Sequence, residues 1–137
     1  MTIEPLSPDL SVMPQIATAD VADLAARGFK SIIGNRPEGE APGQPAWSSL
    51  AAEAARHGMW ARQIPVVPGQ IDSGHVDQFA TALREMPAPI AAFCRTGTRS
   101  AMLWALANPD ALGVDERIAT AAAHGFDLAP LRPRMEP

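Results

Sequence analysis

The chain has 137 residues, of which 47% are hydrophobic and 19% are charged, a balance typical of one globular domain with a buried core. Its formal net charge is −4 and its 11 basic residues are scattered, so we expect no nucleic-acid-binding surface, which requires clustered Lys and Arg. The single cysteine cannot form an internal disulfide, and the N-terminus lacks the pattern of a secretory signal, which together favour the cytoplasm.

The sequence alternates short β-rich runs with helical patterns. The first run alternates apolar and polar side chains, which predicts a half-buried strand, and its Pro14 suggests that this strand lies at a sheet edge. Thr18 and Ser73 stand where N-caps are expected, and Gly28 where a helix ends. The predicted elements are a strand at 9–16, a helix at 18–28, a strand at 29–35, a helix at 47–58, a strand at 61–67, a helix at 73–86, a strand at 90–94, a helix from about 98 to 107 and one or two helices within 110–134.

This order of elements predicts the fold class. Strand–helix–strand alternation indicates a single three-layer α/β domain over residues 1–137, with a mostly parallel central sheet flanked by helices. The continuous apolar run at 90–94 is typical of a strand buried on both faces. Ligands of such sheets bind beyond the carboxyl ends of the strands, which is where Cys94 lies. The longest apolar run, 101–107, is too short to span a bilayer, so we expect no membrane segment.

The segment after the buried strand, C-R-T-G-T-R-S at 94–100, carries the only cysteine. Gly97 allows the chain to curl before the next helix, so that successive N–H groups and the positive helix end face one hollow. Such a hollow favours a thiolate over a thiol. The sequence therefore predicts a nucleophilic thiol beneath an anion pocket, rather than a passive buried cysteine. The residues assigned to it are Cys94 and Arg99 as catalytic, and Arg95, Thr96, Gly97, Thr98 and Ser100 as anion-binding.

Other polar residues are candidates for the same edge of the sheet. The residues that follow the end of a predicted strand, and are therefore expected on the same rim as Cys94, are Asn35, Arg36, Glu38 and Glu40. Arg36 either helps to hold an anionic substrate or pins the loop to the sheet edge, and both interpretations remain open. Asp72 precedes a predicted helix, where a capping role is favoured over a catalytic one. The histidines have no ligand spacing, so we expect no metal site.

The Cys94 loop resembles the six-residue C-x-x-G-x-R loop of rhodanese sulfurtransferases. It also resembles the C-x5-R-[ST] loop of cysteine phosphatases, but is one residue shorter. Roughly residues 8–134 are similar to the beta-lactamase-hydrolase-like protein family, whose members are described as phosphatase-like or as sulfurtransferases. The segments that carry this similarity are QIATAD, GFKSIIGNRPEGE, the IPV strand, FCRTGTRS and GFDLAPLRPR. The resemblance implies a fold of the dual-specificity-phosphatase type. Two departures are Phe93, where phosphatases usually have His, and the lack of a carboxylate at 66–70, where they supply a general acid.

These observations lead us to expect a sulfurtransferase. Cys94 would take a sulfane sulfur from thiosulfate or a small persulfide and pass it to a thiol or cyanide, with Arg95 and Arg99 attracting the donor and no cofactor required. One alternative is a cysteine phosphatase with Cys94 as nucleophile and Arg99 as phosphate clamp. A second is a non-catalytic anion-binding or redox-sensing module. The sequence leaves the physiological donor, the acceptor and the oligomeric state open.

Overall fold

A five-stranded sheet forms the centre of the structure, a computed structural model that describes residues 1–137. The strands are β1 (Glu4–Pro5), β2 (Leu10–Met13), β3 (Ser31–Gly34), β4 (Trp60–Gln63) and β5 (Ile90–Phe93). They lie in the order β1-β2-β5-β3-β4, and all neighbours are parallel except β1 and β2. The predicted mostly parallel sheet is therefore confirmed.

Helices cover both faces of this sheet. They are α1 (Thr18–Ala26), α2 (Trp47–Arg56), α3 (Ser73–Glu85), α4 (Thr98–Ala107), α5 (Val114–Ala123), a 3₁₀ turn (Ala129–Leu131) and α6 (Arg132–Met135). None of them combines the length and the apolar character that crossing a bilayer requires. The predicted three-layer α/β domain is confirmed, because one layer of helices packs on each face.

Two hydrophobic clusters fill the spaces between the layers. Adjacent residues of one strand enter different clusters, as the twofold period of a strand requires: Ile32 packs with α1 and α2, whereas Ile33 packs on the side of α3 and α4. Strand β5 lies in the middle of the sheet and all four of its residues are buried. The segment that follows β5 is therefore anchored on rigid, fully packed backbone.

The prediction that the first strand lies at a sheet edge is wrong. The two-residue strand β1 pairs with β2 on its outer side, so β2 is internal and all four of its residues are buried rather than half of them. Pro14 follows the last strand residue, Met13, and so removes no hydrogen bond from the strand pairing. A proline just past a strand end is compatible with an internal position.

The strand predicted at 61–67 is β4, which begins at Trp60 and ends at Gln63. Beyond its end the chain still follows its neighbour, since the N–H of Ile64 donates to the carbonyl of Gly34 at 2.9 Å and the N–H of Val66 donates to that of Asn35 at 3.0 Å. These two bonds bring the carbonyl groups of residues 64–66 to the edge of the sheet at which Cys94 lies.

Candidate active site

Cys94 lies directly after β5, at the carboxyl edge of the parallel strands, and α4 begins four residues later at Thr98. The residue is 1% exposed, so its thiol is at the base of the loop rather than on its rim. The N–H of Gly97 donates to Sγ of Cys94 at 3.1 Å. The predicted curl of the loop, with an amide and a helix start turned toward the sulfur, is thus present.

Gly97 is required by both the backbone and the space around it. Its φ of 93° lies in the left-handed region that side chains disfavour. A Cβ there would also lie 3.1 Å from Cζ of Phe126 and 3.3 Å from the carbonyl carbon of Met13. The loop therefore packs tightly on the chain beneath it, and this packing fixes the direction of the Gly97 N–H.

Arg99 is buried, with 7% of its surface exposed, and its two terminal nitrogens are held by hydrogen bonds to other groups of the protein. Nη1 donates to Oε2 of Glu40 at 2.7 Å and to the Val66 carbonyl at 2.8 Å, and Nη2 donates to Oε1 of Glu40 at 2.8 Å. Burial opposes the charged form, but the hydrogen bond to Glu40 and the proximity of Cys94 outweigh it and raise the pKa of Arg99. A fixed positive charge therefore stands beside the thiol.

Glu40 joins two arginines. Besides its contacts with Arg99, it accepts a hydrogen bond from Nε of Arg36 at 3.0 Å. The hydrogen bond from Arg99, supported by the one from Arg36, lowers the pKa of Glu40 despite the opposing effect of burial. Glu40 is consequently ionised at neutral pH, and a carboxylate held in this form is a poor proton donor.

Arg36 is buried, and its contacts favour the second of its two sequence-based interpretations. Its Nη1 donates to Oε1 of Gln15 at 3.3 Å, while Nε is bound to Glu40. The N–H of Gln15 in turn donates to the carbonyl of Arg95. Arg36 thus pins its own loop to the segment after β2 and to the Cys94 loop, instead of standing free to receive an anion.

The sequence assigns Ser100 to anion binding, but its side-chain hydroxyl is already used in a buried hydrogen bond. Its hydroxyl donates to Oδ1 of Asn35 at 2.8 Å, and both side chains are completely buried. Asn35 also donates from Nδ2 to the Ile64 carbonyl at 2.9 Å and from its backbone N–H to the Phe93 carbonyl at 2.8 Å. The Asn35 side chain thereby ties the first turn of α4 to the chain just after β4, while its backbone N–H binds the end of β5. Ser100 and Asn35 therefore support the loop from within the protein.

The remaining predicted residues form the rim. Arg95 and Thr96 are exposed, and Thr98 is half-buried at the start of α4. The hydroxyl groups of Thr96 and Thr98 are hydrogen-bonded to each other at 2.9 Å. Arg95, Thr96 and Thr98 are thus the more exposed residues of the Cys94 loop, and their anion-binding role stays a prediction.

The structure offers no carboxylic acid in the position of a general acid. Residues 66–70 contain no carboxylate. Asp72 is the N-cap of α3, where Oδ1 accepts the His75 N–H at 3.0 Å and so satisfies a free amide of the first turn. The capping interpretation of Asp72 is confirmed. The prediction that Thr18 and Ser73 are N-caps is wrong, because each is the first residue of its helix and the residue before it is the cap.

The family follows from comparison with known proteins. The model of the phosphatase-like domain of beta-lactamase hydrolase-like protein matches residues 3–111. The chain belongs to this family. A beta-lactamase hydrolase-like protein of Xylella fastidiosa is 34% identical over 130 residues, which are 93% of this chain and 30% of that protein. The chain thus spans less than a third of that relative's length.

Solved structures share the fold. A candidate phosphatase from Neisseria meningitidis superposes with a TM-score of 0.88 at 33% identity, over 99% of this chain and 97% of that one. The catalytic core of the PP-IP phosphatase SIW14 from S. cerevisiae superposes with a TM-score of 0.75 at 15% identity, over 97% and 82% respectively. The predicted family and phosphatase-type fold are confirmed, and the comparisons support the phosphatase alternative better than the sulfurtransferase that the loop suggested.

Proposed function

We propose that this protein is a cysteine-dependent phosphatase in which the Cys94 thiolate is the nucleophile. The observation that carries the proposal is that two groups which favour a thiolate lie next to the Cys94 sulfur. The Gly97 N–H donates to Sγ at 3.1 Å, and the buried charge of Arg99 stands beside the same sulfur. Membership of a phosphatase-like family supports it. A thiolate in a ring of amides can attack a phosphorus atom while the same amides bind its oxygens.

The reaction has two balanced steps. In the first, an S–P bond to Cys94 forms as the P–O bond to the leaving group breaks, and the leaving group departs with the electron pair. In the second, water attacks phosphorus, the S–P bond breaks, and inorganic phosphate and the thiolate are released. The loop amides and Arg99 stabilise the charge on the equatorial oxygens in both steps. Nothing is oxidised or reduced, and the intermediate is carried on the protein itself.

The lack of a proton donor narrows the substrate class. Glu40 is held ionised and Asp72 caps a helix, so the leaving group must depart without receiving a proton from a carboxylic acid. Positioned acid catalysis is typically worth about 10²–10⁴ in rate. We infer that the substrates are small phosphate compounds with acidic leaving groups, such as aryl phosphates or phosphoanhydrides, rather than alkyl phosphates.

Loop length favours sulfur transfer as a second candidate function. Arg99 is five positions after Cys94, as in the rhodanese loop that this segment resembles, whereas the phosphatase loop has one residue more. In this reaction Cys94 attacks the outer sulfur of thiosulfate, the S–S bond breaks and sulfite departs. The persulfide on Cys94 then gives its outer sulfur to cyanide or a thiolate, which regenerates the Cys94 thiolate. Sulfite also leaves without a proton donor.

A parallel assay on one preparation separates the candidates. Release of phosphate from an aryl phosphate with an acidic phenol is measured beside formation of thiocyanate from thiosulfate and cyanide, with Cys94→Ser as the control for both. We expect phosphate release that the substitution abolishes. Thiocyanate formation without phosphate release would replace the first candidate by the second, and no turnover of either substrate would favour the non-catalytic module.

A further inference from the structure

The sequence predicts Glu40 only on the rim around Cys94 and gives it no role, but in the structure its carboxylate is in direct contact with Arg99. We propose that Glu40 is a positioning residue that fixes the Arg99 guanidinium so that its Nε edge is presented to the substrate oxyanion. This inference rests on the proposed function, because it concerns how the same site binds the oxygens of a phosphoryl group.

The hydrogen bonds of Arg99 determine which edge is left for a ligand. Glu40 accepts one bond from each terminal nitrogen, and the Val66 carbonyl takes the second hydrogen of Nη1. Nε and the remaining hydrogen of Nη2 lie on the adjoining edge of the guanidinium, and together they can bind two oxygens of one anion side by side. Glu40 thereby selects one orientation of a side chain that could otherwise rotate.

The surrounding charges keep this arrangement compatible with an anionic substrate. A carboxylate beside the site would repel an incoming anion if it stood alone. Here Glu40 lies between Arg36 and Arg99, so the three side chains together carry one positive charge. Arg36 is itself held by Gln15, and its Nε donates to Oε1 of Glu40, the same oxygen that accepts from Nη2 of Arg99.

A competing role for Glu40 would have the opposite consequence. If its carboxylate occupied the surface of Arg99 that the substrate needs, removal of its charge would free the guanidinium and strengthen anion binding. If it positions Arg99, the same change lets the guanidinium turn away and weakens anion binding. The affinity for inorganic phosphate therefore distinguishes the two roles without any need for turnover.

The test compares Glu40→Gln and Glu40→Asp with the wild-type protein. Glu38→Gln is the matched control, because Glu38 lies in the same loop but accepts the Trp47 N–H at the start of α2 and does not contact Arg99. Phosphate is titrated while the Nε–H resonance of Arg99 is followed by NMR, and KM and kcat for an aryl phosphate are measured in parallel. Thermal unfolding reports separately on the fold.

We expect Glu40→Gln to weaken phosphate binding and raise KM roughly tenfold or more, as loss of a charge-assisted pair implies. Glu40→Asp should recover part of the affinity and Glu38→Gln should bind as the wild type does. Phosphate binding by Glu40→Gln that equals or exceeds that of the wild type would overturn the positioning role. Should this variant not fold, Glu40→Asp carries the test, with unchanged or tighter binding as the overturning result.

The two proposals fail in different ways. If the wild type binds phosphate, Glu40→Gln binds it more weakly, and no phosphate compound is hydrolysed, the phosphatase proposal fails while the positioning role stands. If the wild type hydrolyses aryl phosphates and Glu40→Gln binds phosphate undiminished, only the positioning role fails. Absence of saturable phosphate binding by the wild type overturns the positioning role directly.

Discussion

The hydroxyl of Ser100 donates to Oδ1 of Asn35 at 2.8 Å across two elements that are 65 residues apart in the sequence. Both side chains are completely buried. Because Asn35 also holds the Ile64 carbonyl and the end of β5, this bond fixes the first turn of α4, which carries Arg99, against the sheet. The Cys94 loop is therefore held in place by a buried network of hydrogen bonds centred on Asn35.

Loss of the Ser100 hydroxyl is expected to act on stability. Ser100→Ala leaves the buried Oδ1 of Asn35 without its donor, which typically costs about 1–3 kcal/mol in the free energy of unfolding. Thr98→Ala removes a hydroxyl from the rim and should stay within about 0.5 kcal/mol of the wild type. Urea unfolding of both variants checks this. Equal stabilities, with a changed alkylation rate of Cys94 in Ser100→Ala, would instead indicate a direct role at the thiol.

Gly97→Ala is expected to distort the loop. Its control is Gly28→Ala, because Gly28 has a φ of 94° but open space where a Cβ would stand, whereas Gly97 has a φ of 93° and close contacts with Phe126 and Met13. Both variants bear the strain of a left-handed alanine, about 1–2 kcal/mol. Gly97→Ala should lose more unfolding free energy than Gly28→Ala, and its activity should fall. Equal losses in urea unfolding would contradict the tight packing described at Gly97.

Glu40 should make the free energy of unfolding depend on pH. Its pKa in the folded protein is lowered from the ordinary value of 4.5, chiefly by the hydrogen bond from Arg99. Such a group contributes stability that is complete above its unfolded pKa and is lost as the pH falls through the folded one. The difference in unfolding free energy between the wild type and Glu40→Gln should therefore be largest near neutral pH and shrink in acid. A difference that stays constant from neutral to strongly acidic pH would show that ionisation of the Glu40 carboxylate contributes nothing to the free energy of unfolding.

Substitution of Asp72 distinguishes a helix cap from a catalytic acid. Asp72→Ala removes the acceptor of the His75 N–H and should cost about 0.5–2 kcal/mol, whereas Asp72→Asn keeps a good cap. Neither should change kcat for an aryl phosphate by more than a small factor, since no proton transfer depends on this residue. A large fall in kcat for Asp72→Asn, with stability retained, would assign it the role of general acid.

The parts of the structure that local sequence determines could be predicted. Helix α4 begins at Thr98 and ends at Ala107 as expected, because Gly97 and Asn108 both adopt left-handed backbone angles that end regular structure. Strand β5 could be predicted because a continuous apolar run is typical of a strand buried on both faces. It ends at Phe93, one residue before the predicted end at Cys94. The Cys94 loop could be located for the same reason.

The parts that depend on distant contacts could not be predicted. Glu40 meets Arg99 across 59 positions, and no periodicity in the loop around Glu40 indicates such a partner. The same holds for the Val66 carbonyl, since backbone groups leave no trace in a sequence, and for the bond that takes the Ser100 hydroxyl to Asn35. Strand β1 has two residues, too few to show an alternating pattern, and an interpretation of the sequence that lacks β1 places β2 at the edge of the sheet.

The central claim is that Cys94 is a nucleophile that carries a phosphoryl group. The most direct test is to quench the protein in acid during turnover of an aryl phosphate and to measure its intact mass. The account predicts a species heavier by one phosphoryl group, its attachment mapped to Cys94, and neither this species nor phosphate release in Cys94→Ser. Phosphate release that continues undiminished in Cys94→Ser would contradict the account, as would a wild-type protein that gains one sulfur atom from thiosulfate but never a phosphoryl group.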